Sequence, residues 1–205
     1  MAWELWVKGR VTKVRVVCQK YGDDFNHWAI FLLLDDRKRS IKLDTKHTPG
    51  SYYTNHLFVT VCDFTLPRSA LKYWDFKVDS RYGDGKASVP YRYFGREIFI
   101  KQRDYYRTDH GLGCRWWVYT VIRDFCEKEL IELDPYERLW RHLQFVYSEY
   151  RPRRRQMVNR GSFPDHMDSD DDLSYSERSD IEHSDGEWSG DSASSEESSD
   201  IDDLD

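Results

Sequence analysis

Asn26-His27-Trp28-Ala29-Ile30-Phe31-Leu32-Leu33-Leu34 is unbroken by any polar residue after its second position. Successive strand side chains point to opposite faces, so a run apolar at every position marks a central strand covered from both sides. Ahead of it, Arg10–Gln19 (RVTKVRVVCQ) is rich in β-branched residues and reads as a neighbouring strand, joined through a turn at Tyr21-Gly22-Asp23-Asp24. Behind it, Asp35–Ser40 is a polar reversal, and Ser40–Thr45 (SIKLDT) alternates as a partly exposed partner strand. His56–Phe64 and Lys72–Val78 read as two more strands, Ser80–Pro90 as loop. Glu97–Lys101 (EIFIK) is ambiguous between strand and helix.

Helices are expected in the last third of the globular part. From Cys114 to Leu130, apolar residues recur at Cys114, Trp117, Val118, Val121, Ile122, Phe125 and Cys126, a helical stripe. Arg115, Thr120, Arg123, Asp124, Glu127 and Lys128 lie opposite it. Asp134-Pro135-Tyr136-Glu137 offers an N-cap, a first-turn proline and a capping-box glutamate. The helix so opened would present Tyr136, Leu139, Trp140, Leu143, Val146, Tyr147 and Tyr150 on one face. The expected fold class is α+β: an antiparallel sheet of about four to five strands packed on two C-terminal core helices.

The formal charge of −6 over 205 residues conceals two unlike parts. Asp165–Asp205 holds 17 Asp+Glu, 11 serines and one arginine, a charge of −16; Met1–Pro164 holds 30 Lys+Arg against 20 Asp+Glu, or +10. The organisation expected is therefore a globular domain over 1–164 and an acidic, disordered tail over 165–205, whose few apolar residues cannot offset chain entropy. About 164 residues suffice to bury roughly two thirds of the unfolded surface. Ser169, Ser174, Ser179, Ser184, Ser194 and Ser199 each have an acidic residue three positions on, a pattern suited to acidophilic kinases. Phosphorylation of all six would add roughly −9 to −12. Such a tail is a candidate for intramolecular contact with the basic domain.

No membrane span is expected, since the longest apolar stretch, Ala29–Leu34, is far below the roughly 18 residues needed. The N-terminus lacks a basic region followed by an apolar run, so no secretory signal is expected and the localisation read from the chain is intracellular, cytoplasmic or nuclear. Four cysteines without a Cys-x-x-Cys pair argue against a disulfide scaffold or a zinc ribbon. His47, His56, His110 and His142 show no ligand spacing, so no metal and no cofactor is expected.

The candidate chemistry rests on Cys114 and His27. Cys114 follows Gly111-Leu112-Gly113 at the start of the predicted helix. There the helix dipole and unpaired amides favour thiolate and offer oxyanion donors. His27 opens the central strand, a rigid mount for a general base. If the reversal pairs Leu33 with Lys42, Asp44 and Lys42 share the His27 face, which makes Asp44 the candidate to orient the imidazole; a one-residue slip would put it on the other face. His110 is a reserve base. The same residues also read structurally: Cys114 is in register with the buried stripe, as an inert core cysteine would be, and His27 would suit a strand-capping hydrogen bond. Cys18, Cys62 and Cys126 read as structural.

The segments NHWAIFLLLDD (residues 26–36) and GLGCRWWVYTVIRDF (residues 111–125) resemble an uncharacterised family of fungal proteins, a domain of unknown function, over roughly Val11 to Phe163. At longer range, His-Trp-x-Ile-Phe on a strand with a later Cys at a helix start is similar to circularly permuted NlpC/P60 proteins, among them the lecithin–retinol acyltransferase-like enzymes. That resemblance implies a permuted papain-like fold, Cys114 as nucleophile, His27 as base, and a small acyl or peptide-like substrate. It also allows a descendant that kept the fold and lost the chemistry. The chain departs from the pattern in having Gly113 where Asn is usual, no second His on the strand after His27, and a long connection between the motifs.

A noncatalytic alternative comes from charge. Tyr91–Arg107 interleaves six aromatics with five basic residues, and Arg151–Arg155 adds four arginines, the equipment for gripping phosphates or stacking on single-stranded nucleic acid. RPRRRQ also fits a nuclear-import signal. In that reading the domain binds an anionic partner and its acidic tail competes for the same surface.

Overall fold

The computed structural model describes residues 9–164 except 23–24, 52, 80, 82–87, 109–112, 133–135 and 150–152. Statements below concern the described residues. The chain divides into two units, Met1–Asp170 and Asp171–Asp205. The expectations for the acidic tail, the Asp134-Pro135 cap and His110 lie outside the described residues.

Strands β1 (Arg10–Tyr21), β2 (Phe25–Leu34), β3 (Ser40–His47), β4 (Thr54–Cys62) and β5 (Ala70–Lys77) come first, then the short β6 (Val89–Pro90). Helix α1 (Tyr91–Ile100), strand β7 (Tyr105–Thr108) and helices α2 (Cys114–Glu127) and α3 (Tyr136–Leu143) follow. The short strands β8 (Phe145–Val146), β9 (Arg154–Arg155) and β10 (Gly161–Ser162) complete the domain. One eight-stranded antiparallel sheet runs β10-β7-β4-β3-β2-β1-β5, with β6 beside β1; β8 and β9 form a separate pair. No described helix is long and apolar enough to cross a membrane.

The fold is α+β, but the sheet has eight strands rather than four or five, and there are three helices rather than two. The added strands β6, β7 and β10 span two to four residues, too short to carry a two-residue period. The ambiguous Glu97–Lys101 segment is helical, as the end of α1 and its C-cap: Tyr91, Phe94 and Ile98 recur at helical spacing and are buried. Helix α3 also ends earlier than its apolar pattern implied. Beyond Leu143 the backbone finds other partners: Val146 pairs with β9, and the Tyr147 N–H donates to Asn26 Oδ1 at 2.5 Å while Asn26 Nδ2 donates back to the Tyr147 carbonyl at 2.9 Å.

β2 is covered on both faces, as its sequence requires. Trp28, Ile30 and Leu32 point into the main core with Trp117, Val121 and Phe125 of α2. Val17, Ala29, Phe31 and Leu33 form a second, smaller cluster with Cys62 on the opposite face. That cover is a strap, not a helix layer. The connection from β4 to β5 crosses the sheet, with the Phe64 ring 6.3 Å from Phe31. Two bonds anchor it: Ser40 Oγ donates to the Phe64 carbonyl at 2.6 Å, and Arg15 Nη1 to the Thr65 carbonyl at 3.1 Å.

α2 is buried on more sides than its stripe. Arg115, Thr120 and Asp124, expected opposite it, are also buried. Asp124 Oδ2 accepts a 2.7 Å bond from Arg103 Nε, both side chains under 5% exposed. This burial removes part of the nucleic-acid equipment expected in Tyr91–Arg107: Tyr91, Phe94, Tyr106 and Arg103 are all interior.

Candidate active site

The site arises where two central strands part. β2 and β3 pair only from Leu33↔Ser40 to Ile30↔Leu43. Their outer neighbours continue, β1 with β2 to Tyr21↔Phe25 and β3 with β4 to His47↔Asn55. The sheet is therefore split below Ile30 and Leu43. The observed register, Leu33 opposite Ser40 and Phe31 opposite Lys42, lies two residues from the expected Leu33–Lys42 pairing. An even shift leaves every side chain on its face, so Lys42 and Asp44 still share the His27 side.

Into this split project the three residues singled out in the sequence. His27 Nε2 lies 2.5 Å from Asp44 Oδ1, and Lys42 Nζ lies 2.6 Å from Asp44 Oδ2. Asp44 is buried, His27 is 23% exposed, and Cys114 is half-buried. The Cys114 thiol, at the first position of α2, is close enough to His27 for each group to shift the other's pKa. With Nε2 committed to Asp44, Nδ1 is the ring nitrogen left for the thiol. All four side chains line one cleft of about 470 Å³, which also reaches Phe25, Tyr21 and Asn55.

Gly113 fits α2 against the sheet edge. A Cβ there would lie 2.2 Å from Thr108 Cγ2 and 2.3 Å from Tyr106 Cε1, so no larger residue can precede Cys114 without displacing β7. No side chain caps the helix at Gly113, which leaves the dipole end and first-turn amides to the thiol.

The electrostatics separate Cys114 from the other cysteines. Burial alone raises a thiol pKa, and it does so for Cys18, Cys62 and Cys126, the last to about 12. At Cys114 burial is outweighed by the hydrogen bond and charge of His27, by a bond to the Trp28 backbone and by Arg115, and the thiol lies below its ordinary value. At His27 burial disfavours the cation, but the Asp44 and Cys114 hydrogen bonds and charges carry it up to about 10. Burial likewise works against the Asp44 carboxylate, and the bonds from His27 and Lys42 overcome it, holding its pKa below the usual range. Each shift favours the charged form of its group: thiolate at Cys114, imidazolium at His27 and carboxylate at Asp44.

A family model matches residues 14–164. The chain belongs to the family described as Domain of unknown function (DUF7770). No curated protein and no solved structure matches it. The DUF7770 segment contains His27, Lys42, Asp44 and Cys114, and also Asn55, which sequence reasoning passed over. Asn55 sits on β4 opposite Tyr106, is 6% exposed, lines the cleft, and its Nδ2 donates to no described acceptor. Nothing in its sequence context, Tyr53-Thr54-Asn55-His56, signals that position; only the sheet order brings β4 beside the split. His47 and His56 are exposed, and His142 pairs with the Tyr147 hydroxyl, Nδ1 to Oη 3.1 Å.

Proposed function

We propose that this domain is a cysteine-dependent acyl-transfer enzyme, a hydrolase or an acyl/amide transferase of papain-like design, with Cys114 as nucleophile, His27 as general acid–base and Asp44 as orienter. The single observation that carries this reading is the convergence of Cys114, His27 and Asp44 in one cleft, with the thiol pKa lowered where every other cysteine's is raised.

The geometry supports a balanced two-stage reaction. The Cys114 thiolate attacks a substrate carbonyl carbon, and the carbonyl electron pair moves to oxygen. Collapse of that oxyanion breaks the bond to the leaving group, which takes the proton of the His27 imidazolium, and an acyl thioester remains on Cys114. Water, or an amine or alcohol acceptor, then attacks the thioester. His27 takes the attacking group's proton, the C–S bond breaks, and thiolate and imidazolium are restored. Asp44 keeps the ring fixed and stabilises its charge. The Cys114 N–H and Asn55 Nδ2 are the donors assigned to the oxyanion, since a buried unpaired amide is costly unless a ligand satisfies it.

Incubation with 4-nitrophenyl acetate tests this. Release of nitrophenolate together with one acetyl group on the Cys114 peptide, absent in C114A, is the expected result. Acetylation elsewhere, or none, would overturn the assignment.

A further inference from the structure

The walls of the cleft are cationic. Lys42 and Lys46 come from β3 and Lys20 from the end of β1, and Asp44 is the one acidic side chain among the described lining residues. Asp44 is already engaged by both His27 and Lys42. Lys20 and Lys46 are exposed and form no ion pair among the described residues; Lys46 Nζ rests 4.6 Å over the Phe58 ring, which holds the ammonium without neutralising it. With His27 protonated, Lys20, Lys42, Lys46 and His27 face Asp44 and the Cys114 thiolate, an excess of positive charge that remains while the reacting pair is ionised. Asp23 and Asp24 of the neighbouring turn lie outside the described residues.

We propose that Lys20 and Lys46 make this cleft selective for acyl compounds that carry a carboxylate near the reacting carbonyl. This rests on the cysteine reading above, and it names the class of substrate that site takes. A negative group on the substrate is drawn in from the mouth by exposed lysines and reaches Cys114 with its charge met, while a neutral analogue gains nothing from them.

Iodoacetate and iodoacetamide differ in the charge beside the reacting carbon and test the inference at Cys114 itself. In both, the thiolate displaces iodide from the methylene carbon and a C–S bond forms. The measured quantity is the ratio of the two rate constants at Cys114, located by peptide mass, against the same ratio for N-acetylcysteine in the same buffer. The wild-type ratio should exceed that of N-acetylcysteine. It should fall about two- to fivefold in K20Q/K46Q, the size expected for one or two unit charges roughly 8 Å away at water-like dielectric. Salt at about 0.5 M, where screening is nearly complete beyond several ångströms, should shrink the preference similarly. A ratio equal to that of N-acetylcysteine, or one unmoved in K20Q/K46Q, would overturn the inference. Failure of the cysteine reading has a separate signature: slow reaction with both reagents, whatever their ratio.

Discussion

At the scale of single residues, the cysteines divide by what surrounds the sulfur. Cys18 and Cys126 are as well packed as Val121 and lie beside no compensating cation strong enough to offset burial. Cys114 has His27. The dependence is mutual, so the His27 titration is a direct readout. In the wild type its ring signals should move near pH 10 by NMR. Either D44N or C114A should lower that value, and the double variant should bring it below about 6.5, because burial then acts unopposed. A value still near 10 in the double variant would contradict the coupling. Asn55 offers a second check: N55A should cost about 10²-fold in acyl-enzyme formation, as loss of one oxyanion donor does. Its urea midpoint should move little, since the side-chain NH₂ it removes donates to no acceptor among the described residues.

At the scale of elements, the split between β2 and β3 joins the fold to the site. Cys114 approaches from the helix layer and Asp44 from the strap side, and His27 meets both only because pairing stops at Ile30–Leu43. The sequence pattern of β2 and β3 was enough to assign faces, since apolar positions fix parity. It was not enough to fix register, because shifts of two residues leave the pattern unchanged. The α2 stripe was equally legible. The burial of Asp124 on its other side was not: an aspartate opposite an apolar stripe looks solvent-facing until α1 and the Arg103 turn supply its partner. Breaking that pair removes the 2.7 Å carboxylate partner of a buried guanidinium, so D124A should destabilise the domain by about 3–5 kcal/mol in urea unfolding. A loss under about 1 kcal/mol would mean the guanidinium finds another acceptor.

At the scale of the whole molecule, the described domain is closed by its last residues. β10 pairs with β7 at the sheet edge, a Cβ on Gly161 would strike the Arg107 carbonyl at 2.2 Å, and Phe163 is buried against Tyr106 with Arg103 over its ring at 4.3 Å. This late segment therefore packs on β7, and a side chain at Gly113, just ahead of α2 and Cys114, would meet the same Tyr106 ring. F163A should cost about 3–5 kcal/mol and slow Cys114 alkylation as well, although Phe163 does not line the cleft. None of this closure was legible, because two-residue strands and single aromatics carry no period. The charge division at Pro164, by contrast, is plain in the composition, and the family match ends at the same residue.

The most direct test of the thiolate–imidazolium pair is the pH profile of Cys114 alkylation by iodoacetamide in the wild type and in H27Q. The wild-type rate should reach half its maximum well below the value of about 8.5 typical of a free thiol. In H27Q the midpoint should rise to or above that value, because burial then acts without its main counterweight. Superimposable profiles for the two proteins, both with an ordinary thiol midpoint, would contradict the account.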